Sequence, residues 1–534
     1  MRVLGIDTGG TYTDSVIVER ERGAILRRAK ALTTPHDLAV GVEESIGRLN
    51  YTAWDKIGLV CLSTTLATNA VVEGKGGRAG LLLLGGVPRG PLPVQAHAVV
   101  GARVNIRGGV QERLDAQALR DALTAMRGQY DALAISGYAS VRNPAHEQQA
   151  ARAAREILHI PVVCGHELTA DLGFYERTVT AVWNARLIPV VRTLMETIQN
   201  AMQRLGIRAP IMIVRGDGSL MHFARAMERP VETILSGPAA SVIGARFLTG
   251  LTDCMVVDMG GTTTDIAYVR AGRCRVTRSG AQIAGWRTNV RAMEICTYGL
   301  GGDSRIEACE DGRLAIGPER VVPLCRSGVM PGKSGLTPTD ILHLSGLYRE
   351  WDVERIRPEA ERICACMHLP PQLFAGEMTR RIVSRLQQAC RAHMERLNAP
   401  RDLPIVGVGA PAGIWLRLAK QRLKQTVYVP RDAAVANAVG AAVGTVYETA
   451  QAIVRKDRLN GQYLIYTETE RMQADDLTDA VCCARQAVRT LAADRAAQAG
   501  LKKAEVTDEQ ERRTGAAGEL IEVRLHAVAQ GSPA

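Results

Sequence analysis

The sequence predicts an α/β fold of two duplicated domains with a ligand cleft between them, plus a small C-terminal element. The pattern Asp-x-Gly-Gly-Thr-x-Thr-Asp occurs at residues 7–14 and again at 258–265, as expected of an internal duplication. Strand-like and helix-like segments alternate along most of the 534 residues, which is typical of sheets covered by helices on both faces. We therefore expect domains at 1–170 and 171–450, and an appended element at 451–534.

Hydrophobic periodicity and turn residues predict the elements of the first domain. Two β-rich runs flank a Gly-Gly pair and predict a β-hairpin at residues 3–18. The segments that follow alternate between amphipathic patterns and short apolar runs. They predict helices at 37–49, 64–76, 115–128 and 143–158, and strands at 57–64, 78–84, 130–139 and 161–165.

The second domain is predicted to begin with a long helical region at 171–206, interrupted near Pro189. A second hairpin at 254–269 repeats the first, and the tail after residue 450 alternates between helix and strand character. The other predicted elements are a strand and turn at 211–220, a turn at Ser236-Gly237-Pro238 before a small-residue helix, helices within 338–398 broken at Pro370-Pro371, a strand, Gly-rich turn and helix at 402–423, and a small-residue helix at 433–444.

Composition excludes several classes of protein. Hydrophobic residues make up 46% and charged residues 23% of the chain, which excludes a disordered or coiled-coil protein. The net charge of +11 comes from basic residues spread along the chain, and aromatic residues make up only 4%, so no nucleic-acid partner is expected. No run of 18 apolar residues predicts a membrane span, and the 12 Cys, with no C-x-x-C pair, fit a reduced cytoplasmic protein.

Each hairpin motif carries groups that suit a phosphate and a divalent cation. Adjacent glycines permit positive φ and let a ligand approach the backbone, whose exposed N–H groups form an anion-binding concavity. Threonine hydroxyls add further donors. The Asp residues predict a bound Mg²⁺, because this ion takes one or two carboxylates together with substrate phosphates and waters. Two copies in separate halves predict a nucleotide site in a shared cleft.

Two further glycine-rich loops are weaker candidates for contact with a nucleotide. Gly299, Gly301 and Gly302 fit either a plain turn or a loop that approaches phosphate. A G-x-G-x-x-x-G pattern that begins with Gly407 and Gly409 lies between a predicted strand and helix. Such a pattern is weak alone, but beside the two hairpins it predicts a loop that faces the adenosine.

The motifs DTGGTYTD, DMGGTTTD and GVGAPAG resemble the phosphate and adenosine loops of the actin-like ATPase superfamily. The second hairpin and the stretches STTLATNAVVEGKGGRAGLL (63–82), YERTVTAVWNARLIPVV (175–191) and RPVETILSGPAASVIGA (229–245) look like the hydantoinase A/oxoprolinase family. The resemblance implies duplicated actin-like, ribonuclease H-like ATPase domains with a nucleotide cleft between them. It also implies ATP-dependent hydrolysis of a cyclic amide, of the hydantoin or 5-oxoproline type, through phosphorylation of the amide oxygen.

The same resemblance implies roles for individual residues. Asp7 and Asp258 would bind Mg²⁺ and, with Thr11 and Thr262, would form the catalytic set. The other residues implied for the ATP site are Gly9, Gly10, Thr13, Gly260, Gly261, Thr263, Gly301, Gly302, Gly407 and Gly409.

Other matching residues have less definite roles. The hairpin positions Thr13, Asp14, Thr264 and Asp265 are expected mainly to brace the turns. Thr64, Thr65 and Asn69 are candidates for the substrate side, or ordinary residues at a helix start. Glu176 and Arg177 either contact substrate or pair with each other.

Two alternatives to the cyclic-amide hydrolase stay open. One is an ATPase switch that reactivates a partner protein, and the other is a small-molecule kinase. The His residues form no H-x-H or H-E-x-x-H set, so a ring-opening reaction would take its activation from ATP and not from a metal-bound hydroxide. The resemblance also implies a hydantoinase B-like partner subunit, and a homo-oligomer is a further option.

Overall fold

The computed structural model describes the chain except residues 35–37, 278–279, 309–313, 328–331, 421, 424, 458–460, 502, 516–518 and 534. Up to residue 170 the strands are β1 Arg2–Thr8, β2 Tyr12–Glu19, β3 Ala24–Leu32, β4 Ile57–Thr64, β5 Ala79–Leu84, β6 Ala98–Val100, β7 Arg103–Val104, β8 Val110–Glu112, β9 Ala132–Gly137 and β10 Val162–Cys164. The helices there are α1 Leu38–Gly47, α2 Leu66–Val72, α3 Ala116–Met126, α4 Ala145–Leu158 and α5 Gly165–Leu168.

Beyond residue 170 the strands are β11 Ile211–Val214, β12 Leu220–His222, β13 Cys254–Met259, β14 Thr264–Arg270, β15 Arg273–Cys274, β16 Gln282–Ile283, β17 Trp286–Arg287, β18 Ile295–Tyr298, β19 Ser304–Ala308, β20 Leu314–Arg320, β21 Val322–Pro323, β22 Ser334–Gly335, β23 Ile405–Val408, β24 Val427–Tyr428, β25 Val446–Lys456, β26 Tyr463–Thr467, β27 Arg471–Ala474, β28 Glu505–Thr514 and β29 Leu520–Gly531. The helices are α6 Phe174–Arg204, α7 Phe223–Glu228, α8 Ser236–Thr249, α9 Pro338–Leu344, α10 Arg357–Cys366, α11 Pro371–Arg396, α12 Ala412–Ala419, α13 Ala436–Val443 and α14 Leu477–Gln498.

Two sheets repeat the same strand order, which confirms the duplicated α/β fold. The first contains the order β3-β2-β1-β4-β11, and the second contains β15-β14-β13-β23-β24. In both sheets the hairpin strands are antiparallel, whereas β4 runs parallel to β1 and β23 runs parallel to β13. We call the parts built on these sheets the first and second lobes. Because β1 is parallel to β4, and β13 to β23, each hairpin loop lies at the same sheet edge as the loop that follows the parallel strand.

Helices α8 and α13 connect the lobes and touch through their backbones. A Cβ built on Gly244 would lie 1.9 Å from the Ala436 carbonyl oxygen, and one built on Gly440 would lie 1.8 Å from the Ala240 carbonyl oxygen. Helix α13 also lies against β1, where a Cβ on Gly5 would come within 2.2 Å of the Ala438 carbonyl oxygen. The small residues of both helices therefore permit a close crossing that holds the two hairpin edges face to face.

A parallel sheet of order β10-β9-β5-β6 lies between α2 and α6 in the sequence. Helix α6 runs unbroken through Pro189, so the expected interruption is wrong. Gly77 explains this, because its N–H donates to the Arg186 carbonyl oxygen at 2.8 Å. A Cβ on Gly77 would lie 2.5 Å from Pro189 Cγ, so the absence of a side chain leaves room for the ring.

The other expected elements are present, with small differences in their ends. Helix α8 begins directly at Ser236, so the turn expected there is the first turn of the helix. The break at Pro370-Pro371 is confirmed, because α10 ends at Cys366 and α11 begins at Pro371. Asp37, the expected start of the first helix, lies outside the described residues.

The strands of the tail extend the first lobe. Strand β25 pairs with β12 through Leu220 and Val446, and β26 and β29 then pair with β25. Because β25 crosses residue 450, the division into three domains stays a prediction. No helix in the described part of the chain is long and apolar enough to cross a membrane.

Candidate functional site

The two hairpin loops have the same backbone geometry. In the first, Thr8 pairs with Thr13, and the Gly9 N–H donates to the Tyr12 carbonyl oxygen at 3.0 Å. In the second, Met259 pairs with Thr264, and the Gly260 N–H donates to the Thr263 carbonyl oxygen at 2.9 Å. Each loop therefore has four residues and is not the two-residue Gly-Gly turn that the sequence suggested.

None of the four loop glycines has a left-handed backbone, and only Gly9 and Gly261 lack the space for a side chain. Gly9, Gly10, Gly260 and Gly261 are absent from the described residues with positive φ, so that expectation was wrong. A Cβ on Gly9 would lie 2.9 Å from the Tyr12 carbonyl oxygen, and one on Gly261 would lie 2.8 Å from Thr11 Oγ1. The Gly261 contact joins the two loops across the cleft, so the tips of both hairpins meet at one place.

A buried carboxylate lies at the base of each hairpin. Asp7 accepts a hydrogen bond from Ser63 Oγ at 2.6 Å, and Asp258 accepts one from Ser241 Oγ. Burial, with smaller contributions from the charges of Asp14 and Asp258, raises the pKa of Asp7 to about 7. Burial also raises the pKa of Asp258. Both carboxylates are therefore buried groups whose ionised form would be favoured by a nearby cation.

These carboxylates fit Mg²⁺ only as part of a larger ligand set. In the described part of the chain, three metal-ligating side chains come together only at Glu147, Cys164 and His166, and Asp7 and Asp258 are outside that group. Mg²⁺ commonly binds through one or two carboxylates, with phosphates and waters completing the octahedron. The donor set therefore suits a Mg²⁺ that arrives with a nucleotide.

The second aspartate of each motif is engaged within its own lobe. Lys30 Nζ lies 2.5 Å from Asp14 Oδ1, and Thr297 Oγ1 donates to Asp265 Oδ1 at 2.5 Å. The threonine side chains are also bonded. Thr13 Oγ1 lies 3.1 Å from Thr33 Oγ1, and Thr264 Oγ1 donates to the Leu300 carbonyl oxygen at 2.5 Å.

The loop at 299–303 lies directly against the second hairpin. The Gly302 N–H donates to the Gly260 carbonyl oxygen at 2.9 Å, and the Asp303 N–H donates to the Gly261 carbonyl oxygen at 2.6 Å. A Cβ on Gly301 would lie 2.4 Å from that same Gly261 oxygen. The structure thus brings this loop to the hairpins, and its backbone supports the second one.

The two glycines expected near adenosine lie in different surroundings. Gly409 has a φ of +89°, and a Cβ there would lie 2.7 Å from Asp258 Oδ1. Gly407 lies inside β23, where a Cβ would come within 2.3 Å of Leu416 Cδ1 of α12. The structure brings Gly409 to the base of the second hairpin and packs Gly407 against a helix, so the role of Gly407 toward adenosine stays a prediction.

The start of α2 lies beside the first hairpin. The Thr65 N–H donates to the Thr8 carbonyl oxygen at 3.2 Å, and Thr64 Oγ1 accepts from the Leu66 N–H at 3.0 Å. Asn69 Nδ2 would lie 3.6 Å from a Cβ on Gly10. The Thr64 hydroxyl thus accepts the first N–H of α2, whose N-cap residue is Thr65, and the Asn69 amide faces the hairpin tip.

Arg177 and Glu176 do not pair with each other. Arg177 is buried, and its guanidinium donates to the carbonyl oxygens of Gly137, Asp171 and Leu172. It therefore fixes the loop before α6, so of the two alternatives for Glu176 and Arg177 the pairing with each other is wrong.

Sequence reasoning missed two arginines at the cleft. Arg320 Nη2 donates to Thr11 Oγ1 at 2.8 Å, and Nη1 donates to the Gly10 carbonyl oxygen at 3.3 Å. Arg326 is buried, with its guanidinium 5.8 Å from the ring centre of Tyr12. No motif marks either residue, and they are more than 300 positions from the hairpin that they approach.

The hydantoinase/oxoprolinase family model matches residues 177–450, and the model of the hydantoinase/oxoprolinase N-terminal region matches 3–158. The caprolactamase subunit alpha of Pseudomonas jessenii is 30% identical over 80% of this chain and 68% of its own length. The acetophenone carboxylase gamma subunit of Aromatoleum aromaticum is 30% identical over 62% of this chain, which spans half of that subunit.

Two solved structures have the same fold as this chain. The nucleotide-free structure of acetone carboxylase covers 100% of this chain and 88% of its own, with a TM-score of 0.76 and 19% identity. The ATP-dependent caprolactamase of Pseudomonas jessenii covers 99% of this chain and 87% of its own, with a TM-score of 0.74 and 22% identity.

Proposed function

Because the chain belongs to the hydantoinase/oxoprolinase family, we propose that it uses ATP to hydrolyse a cyclic amide of the hydantoin or 5-oxoproline type. Its fold is of the actin-like ATPase type. The observation that carries the proposal is the meeting of two Gly-Gly-Thr loops at one place, where Thr11 Oγ1 would lie 2.8 Å from a Cβ on Gly261. Loops of this kind suit a polyphosphate bound between two lobes.

ATP overcomes the resistance of an amide to attack by water. The amide oxygen forms a bond to the γ-phosphorus while the bond from that phosphorus to the β,γ-bridging oxygen breaks, and ADP leaves with the electron pair. Water then attacks the activated carbon, and the ring C–N bond breaks with protonation of the nitrogen to leave an acyl phosphate. A second water hydrolyses this acyl phosphate to a carboxylate and inorganic phosphate. Phosphoryl transfer needs positioning and charge neutralisation more than covalent participation by the protein.

The hairpin residues have distinct proposed roles. Thr11 and Thr262, with the backbone N–H groups of both loops, would hold the β- and γ-phosphates. Gly10 and Gly260 have no neighbouring atom within 3.5 Å of a built Cβ, so a phosphate can approach their backbone. The remaining proposed contacts to the nucleotide are Gly9, Thr13, Gly261, Thr263, Gly301, Gly302, Gly407 and Gly409.

Asp7 and Asp258 would hold Mg²⁺ together with the nucleotide phosphates. When bound, the ion neutralises phosphate charge. Ser63 and Ser241 keep one oxygen of each carboxylate occupied and thereby fix its orientation. Burial raises the pKa of both groups, so the apo protein resists ionising them and a cation in the cleft favours the ionised form.

We also propose that the chain works with a partner subunit of the hydantoinase B type. The relatives reported above are named as subunits alpha and gamma of their enzymes, which supports an assembly of unlike chains. The small cyclic amide would then be bound with help from a second chain.

Phosphate release from Mg-ATP tests the proposal. The full-length protein would be assayed alone and with 5-oxoproline, hydantoins, other lactams and small ketones, with Asp258→Asn as the inactive control. Stimulation by one cyclic amide, with equal amounts of phosphate and ring-opened product, is the expected result. A stable phosphorylated product would identify a kinase instead. Turnover that responds only to a protein, and to no ring compound in the presence of a partner subunit, would favour an ATPase switch.

A further inference from the structure

Arg320 is the arginine that reaches from the second lobe to the first hairpin. It ends β20, which forms a two-stranded ribbon with β19 just after the 299–303 loop. Its two terminal nitrogens donate to Thr11 Oγ1 and to the Gly10 carbonyl oxygen. The guanidinium therefore lies at the point where the two hairpin tips meet.

The charge of Arg320 is poorly neutralised compared with that of a neighbour on the same ribbon. Arg305 has two close carboxylates, at 2.8 Å to Glu307 and 2.9 Å to Glu319. Among the described residues, the closest ion pair of Arg320 is with Asp303, at 3.8 Å, and 37% of its side chain is exposed. A partly exposed guanidinium at the tip of a hairpin loop, with no closer counterion among the described residues, is well suited to an anionic ligand.

The surroundings of Gly10 leave room for a small anion next to this guanidinium. A Cβ on Gly10 would lie 3.7 Å from Arg320 Nη1 on one side and 3.6 Å from Asn69 Nδ2 on the other. Two side-chain donors therefore flank the loop that the sequence predicts to hold phosphate. The carboxylate of Asp303, a residue only 4% exposed, lies 3.8 Å from Arg320 Nη2. The backbone N–H of Asp303 donates to the Gly261 carbonyl oxygen.

We propose that Arg320 is a catalytic residue that binds the γ-phosphoryl group of ATP and neutralises the charge on its oxygens during transfer. This inference rests on the proposed function of the same site. Asp303 is the positioning residue that keeps Arg320 at the first hairpin. Arginines that act this way in other phosphoryl-transfer enzymes accelerate transfer by about 10³- to 10⁵-fold.

The test compares Arg320→Ala and Arg320→Lys with Arg305→Ala, which removes an arginine of the same ribbon whose charge is already paired. Calorimetry on the full-length protein would measure the affinity for Mg-ADP and for the non-hydrolysable analogue Mg-AMPPNP, alongside phosphate release. We expect both Arg320 variants to bind ADP within about twofold of wild type and AMPPNP at least about tenfold more weakly. Turnover should fall by about 10²-fold or more in Arg320→Ala, and less in Arg320→Lys, which keeps a charge.

The outcomes separate this inference from the function on which it rests. Equal weakening of ADP and AMPPNP by Arg320→Lys would overturn the inference, because Arg320 would then only shape the cleft. AMPPNP affinity and turnover within about threefold of wild type would overturn it too. Arg305→Ala should leave every quantity unchanged. If the wild-type protein binds both nucleotides but no ring compound stimulates its turnover of ATP, the proposed function fails. The ratio of the ADP affinity to the AMPPNP affinity still tests the role of Arg320 in that case.

Discussion

The two hairpins share a backbone but differ in what surrounds it. Both loops have four residues, and both motifs pair their two aspartates across the strands, Asp7 with Asp14 and Asp258 with Asp265. The hydroxyl that bonds the first aspartate comes from the neighbouring strand β4 in the first lobe and from the interlobe helix α8 in the second. The second aspartate has a lysine beside it in the first lobe, whereas in the second lobe its side-chain partner within the described residues is a threonine.

This difference supports the proposal that both copies kept a loop geometry suited to phosphate while their surroundings came to serve different tasks. The first hairpin is approached by cations, Lys30 from its own lobe and Arg320 from across the cleft. The second is supported from below by the 301–303 backbone. We infer that the first hairpin lies where charge develops during transfer, whereas the second is a rigid support for the nucleotide.

Removal of the first aspartate of either motif is expected to have the largest effect. Asp7→Asn and Asp258→Asn keep the size of the side chain and remove a proposed Mg²⁺ ligand. Turnover of Mg-ATP should fall by about 10²- to 10³-fold in both, because a metal contributes several kcal/mol to charge stabilisation. Steady-state phosphate release at several Mg²⁺ concentrations measures this.

The second aspartates provide the matched controls for that experiment. Asp14→Asn and Asp265→Asn change the same residue type at the paired positions and should lower turnover by about tenfold or less, since both side chains bond within their own lobes. Turnover within about threefold of wild type in Asp7→Asn would refute the metal assignment. A large loss of turnover in only one of the two variants Asp7→Asn and Asp258→Asn would show that a single hairpin binds the metal.

Alanine substitutions should distinguish Gly10, which has free space around it in the first hairpin loop, from Gly301, which packs against the second hairpin. Gly301→Ala places a Cβ 2.4 Å from the Gly261 carbonyl oxygen, so backbone must move, and unfolding free energy should fall by about 1–3 kcal/mol. Gly10→Ala places its Cβ no closer than 3.6 Å to any neighbour and should change stability by less than about 0.5 kcal/mol. Its Mg-ATP affinity should nevertheless fall. Denaturant unfolding and calorimetry measure the two quantities, and equal destabilisation would contradict the comparison.

The repeated motif and its fold could be predicted from the sequence because they depend on local signals. The pattern Asp-x-Gly-Gly-Thr-x-Thr-Asp repeats at both places, and the apolar runs around it indicate a hairpin between two buried strands. The four-residue loop and the absence of positive φ at Gly9 could not be predicted, because glycine also occurs where a neighbouring atom, here the Tyr12 carbonyl oxygen, comes too close for a Cβ.

Contacts between distant parts of the chain were beyond the reach of pattern analysis. Pro189 looks like a helix break in the sequence, but Gly77 accommodates its ring from another element. Arg320 has no motif, and its position depends on how the β19–β20 ribbon packs across the cleft. Such residues are specified by tertiary packing, which a single sequence does not display.

The raised pKa of Asp7 predicts that its carboxylate lowers the free energy of unfolding as pH rises. Its folded value of about 7 lies above the value of 3.8 for an ordinary Asp, so the folded apo protein holds this proton more tightly than the unfolded chain. The contribution of Asp7 to stability is complete below about pH 4 and is lost as pH rises through about 7. Asp7→Asn should therefore be more stable than wild type at pH 8, by about 1–2 kcal/mol, and the gain should shrink at pH 5. Thermal unfolding without nucleotide measures this, and a gain that grows toward low pH would contradict the buried, uncompensated carboxylate.

The smallest expected effects are those of removing the side chains that contact Asp14 and Asp265. Lys30→Gln removes a cation from the buried Asp14, and Thr297→Val removes a neutral hydrogen bond from Asp265. Each should lower the free energy of unfolding by about 1 kcal/mol at pH 8.

Salt should affect only one of these two variants. Screening by salt weakens an ion pair with a partly exposed lysine. The difference in unfolding free energy between Lys30→Gln and wild type should therefore narrow when salt rises from about 0.05 to 0.5 M. The difference between Thr297→Val and wild type should stay constant, because no charge is removed. Denaturant unfolding at both salt concentrations measures this, and equal salt responses would mean that Lys30 acts on the first hairpin through packing and not through its charge. The electrostatic contrast between the hairpins would then depend on Arg320 alone.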